Sequence, residues 1–281
     1  MTTGGALLAG ISQLADLPPG TLRVHVLGCG SGYPTAERDT SSLLIGAPDG
    51  WTLVDCPGSV VHKLARLGVA PADLRRVILT HNHVDHVYGL PHLIHALAIA
   101  GRRDHIEVAA PRQTLGTVAA MMAAHGLEDA RYPQVKGIEI ALEEGAEIGA
   151  AAGTRIRAAP AAHGRDTVAV RFDAGEASVC HSSDTTPSVA VVRLARGADM
   201  LFHDCAGPHR LKGGFAASHS SAREAAEVAA DAGVGTLVLM HLGALEGAVL
   251  EECVREAESG FSGVVILPHD GAAWVLPSTG G

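Results

Sequence analysis

Short apolar runs rich in β-branched residues recur along the chain, and polar residues, glycines or prolines separate them. Runs of this length and composition predict strands. They are Leu22–Leu27, Ser42–Ile45, Trp51–Val54, Arg76–Leu79, Ile106–Ala109, Thr154–Ala158, Thr167–Phe172, Ser178–Cys180, Met200–Phe202, Thr236–Leu239, Val264–Leu267 and Ala272–Leu276.

Longer stretches with helical periodicity lie between several of these runs, and many open with Pro, Ser or Thr. They are Ser59–Leu67, Pro91–Ala100, Pro111–His125, Pro187–Ala195, Ala222–Ala232 and Glu246–Glu258. The early strands follow one another directly, whereas the later ones alternate with helices. This order predicts an α/β (α+β) architecture in which two sheets pack face to face with helices outside. We expect one domain over residues 22–281, preceded by an N-terminal extension over residues 1–21.

Composition and charge narrow the classes of partner. The 281 residues include 21 Lys and Arg against 30 Asp and Glu, a net charge of −9, and only 3% are aromatic. Each phosphate contact needs a local cation, and single-strand binders stack bases on aromatic rings. We therefore predict a small-molecule substrate and disfavour a nucleic acid partner without excluding it. A homodimer is left open.

The sequence also bears on location. No apolar run is long enough to span a bilayer, and the first twenty residues lack the basic start of a signal peptide. The five cysteines form no pattern of short paired spacings, which disfavours a disulfide framework. These features predict a cytoplasmic protein without membrane contact.

The strongest chemical signal is the segment Thr80-His81-Asn82-His83-Val84-Asp85-His86, directly after a predicted strand. Two histidines one residue apart at a strand end can face one cavity, and the Asp-His pair can reach a second position nearby. The alternative is a surface histidine cluster or a set of helix caps. Further ligands must come from distant strand exits, where open sheets place their sites, and the candidates are His163, Asp184, His241 and His269.

This segment resembles the His-x-His-x-Asp-His signature of the metallo-β-lactamase superfamily, and the wider pattern is similar to its ribonuclease Z branch. The matching stretches, in order, are Gly28–Thr35 with Arg38 and Ser41-Ser42, Gly89-Leu90-Pro91, Ser183-Asp184-Thr185, Phe202–Cys205, His219–Ala222 and Met240-His241. The resemblance covers about residues 22 to 276. It implies a four-layer αββα sandwich and a dinuclear metal-dependent hydrolase.

The resemblance also implies the metal ligands. Two divalent ions, most often Zn²⁺ with Mn²⁺ or Fe²⁺ as substitutes, would be bridged by a water or hydroxide. One ion would take His81, His83 and His163. The other would take Asp85, His86 and His241, with Asp184 bridging both.

Catalytic roles are implied for Asp85, His219 and Asp204. His219 resembles the branch's downstream histidine, which would hydrogen-bond a transition-state oxygen or protonate the leaving group, and Asp204 would orient it. The alternative for His219 is a place in a helix cap formed by Ser218 or Ser220. His181 and His269 are candidates for contact with substrate or with a ligand.

One departure from the branch bears on the substrate. Ribonuclease Z enzymes that cut precursor tRNA carry an exosite arm, commonly between the third histidine and the bridging aspartate. Here His163 and Asp184 are separated by little more than a predicted hairpin. The main hypothesis is therefore a phosphodiesterase acting on a small or cyclic substrate. The alternatives are a carboxyl ester, thioester or lactone hydrolase, a tRNA 3′-processing endonuclease, and a non-enzymatic metal-binding role.

Overall fold

The computed structural model describes residue 14 and residues 17–48, 50–151, 153–215 and 217–276. Most of the predicted extension over residues 1–21 lies outside these ranges. The described residues form fourteen strands: β1 Leu22–Gly28, β2 Ser42–Ala47, β3 Gly50–Val54, β4 Leu74–Ile78, β5 Ile106–Ala110, β6 Val135–Glu139, β7 Ala146–Ala151, β8 Thr154–Pro160, β9 Val168–Ala174, β10 Ala177–His181, β11 Met200–Asp204, β12 Thr236–Met240, β13 Val264–Ile266 and β14 Ala273–Leu276.

Seven helices accompany the strands in the described ranges. They are α1 Val60–Arg66, α2 Val84–Val87, α3 Leu90–Ile99, α4 Arg112–Ala124, α5 Val189–Ala195, α6 Ala222–Ala232 and α7 Ala248–Gly260. No helix among the described residues combines the length and apolar content needed to cross a bilayer.

The strands form two seven-stranded sheets of matching design. The first has the order β14-β1-β2-β3-β4-β5-β6, and the second has the order β13-β12-β11-β10-β9-β8-β7. In the first sheet, β1, β2 and β3 pair antiparallel, whereas β3 to β6 are parallel. In the second sheet, β7 to β10 pair antiparallel, whereas β10 to β13 are parallel.

Both faces of the first sheet are buried, and successive side chains alternate between them. Val24 and Leu43 belong to the core shared with the second sheet, whereas Leu27 and Leu44 belong to the core beneath α1, α3 and α4. The helices α5 to α7 contact the second sheet through β8, β9, β12 and β13. The result is the predicted αββα sandwich. Burying each Val or Leu contributes about 1.5–3 kcal/mol relative to exposure.

Most predicted strands and helices form within one or two residues of their expected bounds, but β6 and β7 were missed. Strand β6 has mostly exposed residues. Both strands close one edge of their sheets.

The parallel strands determine where chemistry can occur. Because β3 and β4 run parallel, as do β10, β11 and β12, the carboxyl ends of each set lie at one edge of their sheet. The two edges bring distant parts of the chain together.

Candidate metal centre

The predicted ligands come from loops at the carboxyl ends of strands in both sheets. His81 and His83 follow β4, and α2 carries Asp85 and His86. The second sheet supplies the remaining three after β8, β10 and β12, namely His163, Asp184 and His241. The structure brings all seven together.

One group of four consists of His81, His83, His163 and Asp184, whose potential ligand atoms lie within 4.8 Å of one another. His81 Nε2 lies 2.9 Å from His83 Nδ1, and His163 Nε2 lies 3.1 Å from the same atom. Asp184 Oδ2 is 3.7 Å from His81 Nε2 and 3.9 Å from His163 Nε2.

A second group adjoins the first and consists of Asp85, His86 and His241, again within 4.8 Å. His86 Nε2 is 3.3 Å from Asp85 Oδ2 and 3.4 Å from Asp184 Oδ2. His241 Nε2 lies 3.3 Å from the same Asp184 oxygen. A single carboxylate oxygen of Asp184 therefore contacts histidines of both groups.

Hydrogen bonds alone do not satisfy these atoms. His86 Nε2 is buried without a hydrogen-bond partner, although two carboxylate oxygens face it. Tetrahedral zinc with Zn–N distances of about 2.0–2.1 Å separates ligand nitrogens by about 3.3 Å, which is close to the spacing of the three clustered histidine nitrogens. The donor set and its spacing fit divalent metal ions.

Electrostatics favour a cation at the centre. Burial lowers the pKa of His81 well below its usual range, and the nearby His86 adds to this effect, so His81 is neutral as a ligand must be. Burial also acts to lower the pKa of His86, but Asp184 and Asp55 outweigh it and raise that pKa well above its usual value. Burial opposes ionisation of Asp184, yet His241 and His86 hold its pKa well below the ordinary range.

Asp55, which the sequence analysis did not select, hydrogen-bonds the ring nitrogen of His86 that points away from the cluster. Its Oδ2 accepts a hydrogen bond from His86 Nδ1 at 2.7 Å and one from Thr80 Oγ1 at 3.0 Å, while Oδ1 accepts from Thr80 N at 2.8 Å. Because Nδ1 carries the proton, Nε2 faces the cluster. The available signal was an aspartate directly after β3 in the segment Asp55-Cys56-Pro57-Gly58.

A backbone carbonyl plays the corresponding part for His163. The carbonyl oxygen of Ser218 accepts from His163 Nδ1 at 2.8 Å, which leaves Nε2 of a neutral ring as the atom facing the cluster. Such outer partners fix both the tautomer and the orientation of a histidine ligand.

We expect Asp55→Asn to weaken metal binding by about 10- to 100-fold, the usual cost of losing an outer carboxylate partner. The asparagine amide would present either a second donor or a weaker acceptor to His86 Nδ1. Asparagine tolerates the left-handed backbone that Asp55 adopts, so folding should survive. The measurement is a competition titration of zinc against a chromophoric chelator. The control is Asp129→Asn, because Asp129 is an exposed aspartate paired with Arg131. Equal zinc affinity in wild type and Asp55→Asn would contradict this role.

Backbone strain is concentrated beside the site. The described non-glycine residues with positive φ are Asp55 at 60°, Ser183 at 56° and His241 at 55°. Each such conformation costs about 1–3 kcal/mol unless its surroundings enforce it. Two of these residues belong to the site, and Ser183 directly precedes Asp184.

His219 lies beside both groups without a cap role. Its ring stacks on that of His241 with centroids 4.6 Å apart, and its Nδ1 lies 3.0 Å from Asp204 Oδ2. The helix α6 that follows is capped by Ser221 in a reciprocal pair with Glu224, not by Ser218 or Ser220. Asp204 is fully buried and also accepts from Thr185 N at 2.8 Å.

The two remaining candidates differ in position. His181 is buried at the end of β10, near enough to Asp55 and Asp184 for their charges to act on its pKa, although burial lowers that pKa overall. His269 is exposed, and its Nδ1 bonds the carbonyl oxygen of Asp270 at 2.9 Å. It is not one of the side chains grouped at the metal centre. Its neighbour Asp270 instead accepts hydrogen bonds from Cys29 N and Asp39 N and so anchors the loop after β1.

Comparison with known proteins identifies the family. Residues 50–242 match the beta-lactamase superfamily domain. A ribonuclease Z of Mycobacterium bovis strain BCG is 32% identical over 270 residues, covering 89% of this chain and 96% of that protein.

Solved structures agree on the fold. The metallo-β-lactamase fold protein YhfI from Bacillus subtilis is 26% identical with a TM-score of 0.79, covering 91% of this chain and 99% of that one. Human tRNase Z, short form, is 19% identical with a TM-score of 0.75 and the same coverages. At 19% identity, the similarity to human tRNase Z concerns the fold alone.

The comparisons correct one prediction. The prediction that favoured a small-molecule substrate over a nucleic acid was wrong, because the similar curated proteins are ribonucleases Z. The physical reason is that net charge and composition average over the whole surface, whereas gripping RNA depends on local groups near the reacting phosphate. The short hairpin of β9 and β10 between His163 and Asp184 was predicted correctly. It is the conclusion drawn from it that fails. The chain belongs to the metallo-β-lactamase superfamily and, within it, to the ribonuclease Z-like metal-dependent hydrolases.

Proposed function

We propose that this protein is a dinuclear metal-dependent endoribonuclease that cleaves a phosphodiester bond of RNA, with the 3′ trailer of precursor tRNA as its substrate. The observation that carries the proposal is the contact of one Asp184 oxygen with histidines of two adjoining ligand groups. Two ions held by these adjoining groups would suit displacement at a phosphodiester. The ribonuclease Z relatives supply the substrate class.

The residues assigned to the ions follow the two groups. His81, His83 and His163 would hold one ion, Asp85, His86 and His241 would hold the other, and Asp184 would be shared. Nitrogen and oxygen donors without cysteine suit zinc, and manganese or iron are the substitutes. When bound, such ions lower the pKa of a water and polarise a phosphoryl oxygen.

The chain's own proton donor in this proposal is His219. Asp204 bonds Nδ1, so Nε2 is the ring atom left for the substrate, where it would protonate the leaving oxygen or hydrogen-bond a transition-state oxygen. Burial lowers the pKa of His219 and raises the pKa of Asp204. To donate from Nε2, the pair must carry a proton on Nε2 in addition to the one in the hydrogen bond between Nδ1 and Asp204. Asp204 acts as a positioning residue, since it reaches the substrate only through His219.

The binding of a tRNA body requires contacts beyond the centre, because the hairpin of β9 and β10 provides no arm. We propose that they come from exposed cations around the opening, or from a second copy of the chain. Each phosphate contact would make the affinity fall with salt.

The deciding experiment compares substrates on the zinc-loaded protein. We expect cleavage of a precursor tRNA at its 3′ trailer with kcat/KM above that for bis(p-nitrophenyl) phosphate. The kcat/KM for the tRNA should also fall clearly when the salt concentration rises from about 50 to about 200 mM, because salt weakens phosphate contacts. The control is mature tRNA, which lacks the trailer. Turnover of the small diester with the precursor left intact would overturn the proposal.

A further inference from the structure

The two exposed tyrosines of the chain, Tyr33 and Tyr88, lie on segments next to the candidate metal centre. All nine Phe, Trp and Tyr residues fall within the described ranges, and seven of them are buried or half-buried. The other two are Tyr33, which is 74% exposed, and Tyr88, which is 43% exposed. A low aromatic content therefore says little here, because the exposed rings are not spread over the surface.

Tyr33 is held beside Asp85 by its loop. A Cβ added to Gly32 would lie 3.0 Å from Asp85 Oδ2, so the backbone before Tyr33 passes directly over that carboxylate. On the other side, Ser31 N donates to the carbonyl oxygen of Leu242, the residue after His241, at 2.8 Å. The loop therefore spans from the ligand on α2 to the ligand after β12.

Val84 and Tyr88 continue the same surface. Val84 is 72% exposed between His83 and Asp85, and Tyr88 N donates to the Val84 carbonyl oxygen one helical turn later. Residues four apart on a helix share a face. We call Tyr33, Val84 and Tyr88 the tyrosine rim.

The rim is preorganised. Asp270 accepts hydrogen bonds from Cys29 N at 3.1 Å and Asp39 N at 2.8 Å, and Gly30 N donates to the Asp39 carbonyl oxygen at 2.8 Å. At the other end of the rim, Gly58 lies against the Tyr88 ring, where an added Cβ would come within 2.4 Å of it. A surface fixed in this way loses little conformational entropy on binding.

An exposed cation, Arg165, lies near the centre. Arg165 follows His163 by two residues, and its charge is near enough to help lower the pKa of His83, after the larger effects of burial and His163. A cation and exposed tyrosine rings beside the same centre match a single-stranded nucleic acid, which presents phosphates and unstacked bases together.

We propose that Tyr33 is a base-stacking residue that binds the nucleobase next to the scissile phosphodiester. The inference rests on the proposed ribonuclease function and deepens it. The occupant is the unpaired base of a nucleotide flanking the cut, because Tyr33 lies within one residue of the glycine that contacts Asp85, whereas paired bases are stacked inside a helix. Arg165 would meet a phosphate of the same strand.

The test compares Tyr33→Ala, Tyr33→Phe and Ile99→Ala on the zinc-loaded protein. Ile99 is a matched control, since it is 75% exposed but lies at the end of α3. We expect Tyr33→Ala to raise KM for the precursor RNA by about 10- to 100-fold, the usual effect of losing one base stack, while kcat changes less. Tyr33→Phe should retain most of the affinity, and Ile99→Ala should match wild type.

Two modified substrates, each lacking one base on either side of the cut, identify the stacked nucleotide. With the substrate that lacks the stacked base, wild type and Tyr33→Ala should have the same KM, because the Tyr33 ring then has no base to stack on. If wild type cleaves the RNA but Tyr33→Ala has an unchanged KM, or if both modified substrates retain the full Tyr33 effect, the inference is overturned and the proposed function stands. If wild type cleaves no RNA substrate, both are overturned. Equilibrium binding of the RNA to the Tyr33 variants gives a second readout, independent of turnover.

Discussion

Alanine at position 184 is expected to lower kcat/KM by more than about 10³-fold, and to reduce bound zinc from about two ions per chain toward one. The carboxylate Oδ2 is the atom common to both ligand groups, so its removal affects each of them. The buried histidines would then face one another without the charge that balances them. The effect should exceed that of any other single ligand.

The measurement is elemental analysis after zinc reconstitution and dialysis, alongside turnover of the precursor RNA. Asp166→Ala is the matched control, because Asp166 is an exposed aspartate three residues after His163. Since removing a buried charge can affect folding, thermal unfolding of each variant should be followed with and without zinc. Two tightly held ions and undiminished turnover in Asp184→Ala would refute the shared-ligand assignment.

Substitution of His219 by alanine should lower kcat by roughly 10²- to 10⁴-fold while both metals remain bound, the usual range for a positioned proton donor. The ring is held by Asp204 and stacked on His241. In the proposed assignment its loss removes the proton donor and leaves all seven metal ligands in place. His125→Ala, a change at an exposed histidine at the end of α4, is the control.

Asp204→Asn tests whether the aspartate acts through His219. The amide still fits the buried site but holds the imidazole proton differently, so the alkaline limb of the kcat–pH profile, where the proton donor loses its proton, should move while metal content stays constant. If Asp204 had only a structural role, Asp204→Asn would change the stability of the protein and leave the kcat–pH profile unchanged. Normal turnover in His219→Ala would show that the leaving group obtains its proton elsewhere.

The regular elements of the core could be predicted because their side chains carry the signal themselves. Strands such as β1 and β12 are buried along nearly their whole length, and α6 begins with its own cap at Ser221. By contrast, β6 contains lysine, glycine and glutamate, and β7 is built largely of alanine, glycine and glutamate. These two are strands because β5 and β8 offer them partners, and that pairing is not encoded in their own residues.

The residues of the candidate site also divide into those that the sequence could predict and those that it could not. The segment from His81 to His86 is recognisable because its ligands are adjacent in sequence, and the distant ligands followed from the family resemblance. Asp55 was missed because an aspartate after a strand is ordinary by itself. Its meaning comes from the parallel pairing of β3 with β4, which places it behind His86. The substrate class was mispredicted because charge and aromatic content were counted over the whole chain, and such totals do not show which groups lie near the candidate metal centre.

The division of the ligands between the two sheets has a thermodynamic consequence. Four of the seven come from loops of the first sheet, at residues 81, 83, 85 and 86, and three from the second, at residues 163, 184 and 241. Neither half of the chain can complete either group alone, so each bound ion would link residues of both halves. Their binding free energy would then add to the free energy of unfolding, by about 4 kcal/mol when the free ion exceeds its dissociation constant a thousandfold. The same ions would then serve both catalysis and stability, so their removal would abolish activity and lower the free energy of unfolding together, while the core shared by the two sheets remains.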